Sequence, residues 1–324
     1  MLVGKYYSNS DVRIEELPVP AIGPGEVLVK MHASGICGTD VMEWYRVKKG
    51  PRILGHEMAG EIVETKSEKY KKGQRVFVSH HVPCHDCKYC RAGNHTACDT
   101  LHQGNYDPGG YSEFVRVPKI NVDFGIYVLP DNVSYAQATM IEPLACAVRA
   151  VRLLDVQPGQ TVLILGGGIS GLLNVMLAKL KGARVVVTDI NEYRLSQAMA
   201  FGADQAIDAR QNIDLVAEKV IICTGAYQAL EQAFRSVDKK GSILLFAVPN
   251  KDIAVPIPDF WRRELTLFSS YGAAPADLEE ALSLIASGKV DVKRTITHTF
   301  PFRQIQQAFN VVVEAKDSLK VILV

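Results

Sequence analysis

Four cysteines fall within fifteen residues: Cys84, Cys87, Cys90 and Cys98, spaced C-x2-C-x2-C-x7-C. Thiolates at x2 spacing suit one tetrahedral zinc ion, because a single turn supplies two or three of its ligands. Surface thiols or a redox pair are the plainer alternatives. Pro83, Gly93, Asn94, His95 and Thr96 frame the cysteines and read as loop rather than helix or strand. His85 and His95 could substitute as ligands, but four thiolates need no help. A closed set of four leaves no position for substrate, so this ion would be structural.

A second feature is directed at phosphate. Gly166-Gly167-Gly168-Ile169-Ser170-Gly171 reads G-x-G-x-x-G, with an apolar run before it and a helical pattern after it. Gly166 permits the tight turn, Gly168 lets the backbone approach a pyrophosphate, and Gly171 lets the helix pack close. The helix N-terminus at Ile169 and Ser170 then faces the diphosphate with free N–H groups. Asp189 ends the next strand, eighteen residues past Gly171. A carboxylate there can hold both ribose hydroxyls and would repel a 2′-phosphate, so NAD is expected rather than NADP. A ligand-free glycine turn, with Asp189 as an N-cap or turn residue, is the alternative. Arg194 would soften the NAD preference unless it is solvated on its helix. Thr224, Ala247, Val248 and Pro249 lie at the carboxyl ends of later strands, where the nicotinamide should bind.

Two shorter patches have ligand character. Gly35-Ile36-Cys37-Gly38-Thr39-Asp40 sets a thiol in a glycine-framed turn, and Gly55-His56-Glu57-Met58-Ala59-Gly60 sets His and Glu side by side. In isolation Cys37 reads as a buried small residue and His56 as a satisfied core histidine. Beside a dinucleotide fingerprint and a four-cysteine loop, the metal-ligand reading is favoured.

The elements that must position these groups have two textures. Residues 1 to about 140 give short alternating strands at 12–16, 27–32, 61–65, 75–78 and 111–117, punctuated by Gly and Pro. From about 145, nearly all-apolar strands at 161–165, 184–188, 219–223, 242–247 and 265–269 alternate with helices at 172–181, 194–201 and 227–236. That pattern is a parallel sheet covered on both faces, a Rossmann doubly wound α/β domain. Helices at 275–287 and 302–314 and a strand at 320–324 follow. The expected division is 1–144, 145–270 and a return segment, 271–324.

The chain has 324 residues and a formal net charge of +1. Neutral balance argues against nucleic acid as a partner. No run of eighteen apolar residues suggests a membrane span, and the N-terminus lacks a secretory pattern. A cytoplasmic location follows as an expectation, with the cysteines as metal ligands or buried thiols rather than disulfides.

Taken together, Gly-Ile-Cys37-Gly-Thr39-Asp, Gly-His56-Glu57, the four-cysteine loop, Asp107-Pro108-Gly109-Gly110-Tyr111 and Ile141-Glu142-Pro143-Leu144-Ala145 resemble the zinc-dependent medium-chain alcohol dehydrogenases. Within that family the sorbitol (L-iditol 2-)dehydrogenase and polyol dehydrogenase branch is most similar. The resemblance spans nearly the whole chain, with the motifs in the family's order. It implies a GroES-like β-rich catalytic domain interrupted by the Rossmann domain, with the active site in the cleft between. It also implies two zinc ions per chain and NAD as cofactor. Cys37, His56 and Glu142 become catalytic zinc ligands, with Glu57 able to reach the ion and to exchange with Glu142 and water. Cys146 rivals Glu142 but falls off the motif and reads as a core thiol. Asp40 would orient His56, and Thr39 would start the proton path.

The chain departs from the family at Met42, where many relatives carry a relay histidine. His80 and His81 are the candidate substitutes, at positions that line the substrate pocket in relatives, and Trp44 and Tyr45 could wall that pocket. The implied reaction is hydride transfer from a secondary alcohol, such as a polyol, to NAD, giving a ketone. An L-threonine or simple alcohol dehydrogenase is the alternative of the same family. A non-catalytic zinc-stabilised binding protein is the alternative of another class. A homo-oligomer, dimer or tetramer, follows by analogy only.

Overall fold

The computed structural model describes residues 1–103, 105–249 and 251–324. They form two compact units, Met1–Ala145 with Ala273–Val324, and Cys146–Gly272. The expected pairing of a GroES-like β-domain with a Rossmann-like parallel sheet is the architecture found.

The first unit is mostly antiparallel. Its strands are β1 (Leu2–Ser8), β2 (Asp11–Glu16), β3 (Val27–Ile36), β4 (Arg52–Ile53), β5 (Glu57–Thr65), β6 (Arg75–Ser79), β7 (Phe114–Val117) and β8 (Ile126–Val128). The second unit contributes β9 (Thr161–Leu165), β10 (Arg184–Asp189), β11 (Gln205–Asp208), β12 (Ala217–Ile222), β13 (Val237–Leu245) and β14 (Thr266–Ser269). The chain then returns to the first unit with β15 (Ile296–Phe300) and β16 (Lys320–Leu323).

Strand β3 is the hub of the first unit. It pairs antiparallel with β5, β7 and β16. Residues 27–29 and 33–36 are buried without a break, and burial alternates only over 29–32. Pairing on both sides carries the ladder towards Ile36. The register sets Gly35 opposite Glu57 and also opposite Ile322. Cys37, just past the end of β3, is thereby drawn to His56, just before β5. Val27, Val29, Met58, Ile62, Val76, Val115 and Phe309 fill the core beneath. Each such side chain contributes about 1.5–3 kcal/mol by leaving water.

The second unit is a six-stranded parallel sheet in the order β11-β10-β9-β12-β13-β14. The order reverses between β9 and β12, the switch point at which such sheets bind ligands. Helices Ile169–Leu180, Glu192–Ala200 and Tyr227–Ser236 follow their strands. Residues 209–216 form no helix.

Several local expectations are corrected. The cysteine loop contains helical turns at Lys88–Arg91 and Asp99–Gln103 and a 3-10 turn at His95–Ala97. The strand expected from 111 starts only at Phe114, because Tyr111 and Ser112 bridge back to β1. The helix expected from 302 opens as a 3-10 turn and becomes α-helical at Ile305. Strand β1 and the helix Ile141–Leu154 escape the sequence reading.

Candidate active site

One sulfur, one imidazole nitrogen and one carboxylate oxygen, from Cys37, His56 and Glu57, lie within 4.8 Å of one another. Cys37 and His56 are partly buried and Glu57 is fully buried. Glu142, expected as the third ligand, stands in the first turn of Ile141–Leu154 and lies outside this donor group. Its charge still reaches His56. Sequence order alone left the two acids unresolved, and the β3–β5 register brings Glu57 to the donors. Cys146, partly buried, lies outside the donor group too.

Asp40 is the junction of the site and is fully buried. Its Oδ2 accepts the Tyr111 hydroxyl at 2.6 Å and the Cys37 N–H at 3.2 Å. Its Oδ1 accepts from Arg46 Nη2 at 3.1 Å and faces His56 Nδ1 at 3.6 Å. The other His56 nitrogen is thereby left for a metal. Thr39 donates its hydroxyl to Cys37 Sγ at 3.3 Å and accepts from Arg46 at 3.2 Å.

Lys320 was not foreseen. Its Nζ pairs with Glu57 Oε2, both side chains are almost wholly buried, and it also reaches the Ile36 carbonyl at 3.3 Å. A Cβ at Gly35 would collide with that carboxylate. The available signal was a lone lysine heading the apolar run Lys320-Val321-Ile322-Leu323.

Charge gives the site its sign. Burial opposes the His56 imidazolium, but Asp40, Cys37 and Glu142 overcome it and raise its pKa well above the ordinary value. A pocket that draws a proton so strongly is negative and suits a cation. With soft, borderline and hard donors together, the set fits zinc and leaves a coordination position open. His80 lies 4.9 Å from His56, ring to ring, and 3.7 Å from His81. Burial first, then His81, His56 and Arg46, hold its pKa well below normal. Its buried Nδ1 has no hydrogen-bond partner among the described residues. Met42 caps the short helix Glu43–Arg46 and offers no proton carrier. Trp44 and Tyr45 are exposed.

The four lobe thiols also lie within 4.8 Å of one another. Cys84 Sγ is 4.0 Å from Cys90 Sγ and 3.6 Å from Cys98 Sγ. A tetrahedron with zinc–sulfur bonds of about 2.3 Å has edges of about 3.8 Å. Both distances far exceed a disulfide, so the cluster matches a tetrathiolate rather than a redox pair. The Asp86 and Cys87 N–H groups point at Cys84 Sγ, and the Cys84 N–H points at Cys98 Sγ. Burial raises the Cys98 thiol, yet the backbone donors of Cys84 and Leu101 bring it down to about 6. The His85 ring lies beside those of His95 and Phe124, tilted to both, outside the donor set.

In the second unit the glycine loop follows β9. Gly166 adopts φ +104°, a conformation open to glycine, and a Cβ at Gly171 would collide with the Gly166 carbonyl. A Cβ at Gly168 would meet only the Arg194 guanidinium, at 3.9 Å, so room remains for a ligand. Asp189 accepts the Gly167 N–H at 2.7 Å and the Asn191 N–H at 2.9 Å. It therefore organises the turn, and it lies 3.9 Å from Arg194. Ile169 and Ser170 open the helix Ile169–Leu180 and are partly buried. Thr224, Ala247 and Val248 lie just past the carboxyl ends of β12 and β13. Among the described residues no helix is long and apolar enough to cross a membrane.

Two family models match the chain. Residues 23–124 match the alcohol dehydrogenase GroES-like domain, and residues 170–287 match the zinc-binding dehydrogenase family. The sorbitol dehydrogenase of Ovis aries is 33% identical, over 94% of this chain and 90% of its own length. The L-galactonate-5-dehydrogenase of Escherichia coli K12 is 32% identical, over 91% and 89%. Among solved structures, an alcohol dehydrogenase from Escherichia coli CFT073 complexed with NADH aligns with TM-score 0.90 and 28% identity. That alignment covers all of this chain and 98% of the other.

Proposed function

The chain belongs to the zinc-dependent medium-chain alcohol dehydrogenases, and from that premise we propose that it oxidises a secondary hydroxyl of a polyol to a ketone with NAD. The observation that carries the reading is the convergence of Cys37, His56 and Glu57 on one negative, three-donor site. Zinc bound there would supply Lewis-acid polarisation of the alcohol oxygen, and NAD would accept the hydride. A second zinc would be held by Cys84, Cys87, Cys90 and Cys98 in a structural role.

The chain's own residues do the rest. Cys37 and His56 would hold the metal, and Glu57 would complete the set while Lys320 pairs with its carboxylate. Asp40 keeps His56 in one ring orientation, and Tyr111 and Arg46 keep Asp40 in place. Thr39 would present its hydroxyl, now on Cys37 Sγ, to the alcohol oxygen, and His80, held neutral by burial and with Nδ1 unpartnered among the described residues, would accept a hydrogen bond from a substrate hydroxyl. With Met42 in the relay position, the proton leaves through such groups and water. Gly166, Gly168, Ile169, Ser170 and Gly171 would cradle the diphosphate, Asp189 with Arg194 would bound the adenosine ribose, and Thr224, Ala247 and Val248 would bound the nicotinamide.

A panel of hexitols, L-threonine and simple secondary alcohols, followed by NADH formation, tests the reading. Hexitols should be oxidised; activity with L-threonine alone would overturn the substrate class. Asp189→Ala should weaken NAD about tenfold or more, the worth of one charge-assisted contact, and narrow the gap to NADP. An unaltered preference would assign that choice to another residue.

A further inference from the structure

Arg46 closes the short helix Glu43–Arg46, its own N–H returning to the Met42 carbonyl at 3.0 Å. Its side chain is 15% exposed and turns back along the chain onto two neighbouring residues. Nε donates to the Thr39 carbonyl at 2.8 Å. Nη2 carries two hydrogens and meets two oxygens, Thr39 Oγ1 at 3.2 Å and Asp40 Oδ1 at 3.1 Å. A planar guanidinium presents these donors as one rigid fork, which a lysine ammonium does not reproduce. The charge of Arg46 is also among those that hold His80 below its ordinary pKa, so the cation is felt beyond its own contacts.

Thr39 is exposed. A threonine hydroxyl on an open turn ordinarily rotates and trades bonds with water. Here one lone pair accepts from Arg46, and the O–H is directed at Cys37 Sγ, 3.3 Å away. Acceptance from a cation strengthens the O–H as a donor and weakens the oxygen as an acceptor. Such a hydroxyl stabilises negative charge on a neighbouring oxygen and is ill suited to take up that oxygen's proton. Met42 agrees with this, because a proton received by Thr39 would find no histidine on that turn. We propose that Arg46 is a positioning residue of the reaction, which makes Thr39 a fixed donor towards the negative charge developing on the alcohol oxygen rather than a carrier of its proton. The inference rests on the dehydrogenase reading above and deepens it. The alcohol carbon gives its hydride to NAD and the O–H proton passes to water, so ketone, NADH and one proton are formed. Thr39 and Arg46 keep their own protons throughout.

The metal-loaded protein is assayed with NAD on the best alcohol of the panel above. Thr39→Val should lower kcat about a hundredfold with KM changed by less than about threefold, as for a donor used in the transition state. Arg46→Lys keeps a cation beside Asp40 and should lower kcat about tenfold, with KM, metal content and melting temperature near those of the parent. The double variant should be no slower than Thr39→Val alone, because both changes remove one interaction. Crystal structures of the metal-free parent and of Arg46→Lys give a readout independent of turnover: Thr39 Oγ1 should stay on Cys37 Sγ in the parent and leave it in the variant. Losses that multiply in the double variant overturn the inference and leave the dehydrogenase reading standing. So do a parental kcat in either single variant, a Thr39 rotamer unmoved by Arg46→Lys, and a fall in kcat that follows loss of metal, which would assign Arg46 to Asp40 alone. Oxidation of no alcohol by the parent overturns the dehydrogenase reading and the inference with it.

Discussion

The cysteine lobe and the Cys37 site both collect sulfur donors, but they are assembled in opposite ways. The lobe takes all four donors from one stretch of fifteen residues and aims its own backbone N–H groups at the sulfurs. The Cys37 site takes its donors from the ends of two paired strands. Its supports come from four further places: Asp40, Arg46, Tyr111 and Lys320. Four identical thiolates close around an ion and leave nothing for a substrate. Three unlike donors leave a position open and need outside help to stay in place. Local construction suits a staple, and long-range construction suits a reaction centre that must be held yet remain unsaturated.

The widest separation between the two regions should come from Cys37→Ser. It should abolish turnover and remove one metal equivalent while the lobe keeps its own, as read by steady-state assay and metal analysis. Unchanged kcat would remove Cys37 from the site. Cys98→Ser should do the reverse. The lobe's metal goes, the melting temperature falls further than in the Cys37 variant, and the folded fraction keeps most of its turnover. Equal loss of activity in both variants would end the distinction between staple and reaction centre.

Lys320→Met probes the long-range support. It leaves Glu57 buried without its cation, which costs about 3–5 kcal/mol in the metal-free protein. Zinc replaces the missing charge, so denaturant unfolding with and without zinc should show the penalty shrinking when metal is present. A penalty equal in both states would place Glu57 away from the metal.

The smallest effect concerns His81, which precedes the lobe in sequence and feels the charge of His56. Burial, then His56 and His102, lower its pKa from 6.5 to about 4. Between those values the unfolded chain binds the proton and the folded chain does not. Stability therefore falls as pH drops from 6.5 towards 4, by about 1–2 kcal/mol after allowing for partial exposure. His81→Gln should flatten that part of the unfolding profile, and an identical acid limb would show that His81 titrates normally.

How much was legible follows the same contrast. The C-x2-C-x2-C-x7-C spacing, the G-x-G-x-x-G turn after an apolar strand, and the change from alternating to continuous apolar strands are all local. Their physics operates within a turn or a strand, and the fold class could be read from them, whereas the family followed from the resemblance of the motifs around Cys37, His56, Asp107 and Glu142. The helical turns inside the lobe were missed because loop-forming residues also cap short helices. Strand β1 was missed because its pattern is clear only once β2 and β4 pair with it.

The sequence by itself determined which donors exist, which of them form a closed local set, and that a dinucleotide turn accompanies them. The tertiary structure brings Glu57 within 4.8 Å of the Cys37 and His56 donor atoms. The β3–β5 register sets Gly35 opposite Glu57, with Glu142 left outside the three-donor group. It also decided that Lys320, 263 positions after Glu57 in sequence, supplies that acid's counter-charge, and that Arg46 and Tyr111 anchor Asp40. Such pairings depend on strand register and on the burial of charge far along the chain, and neither leaves a periodic mark in the residues that make them.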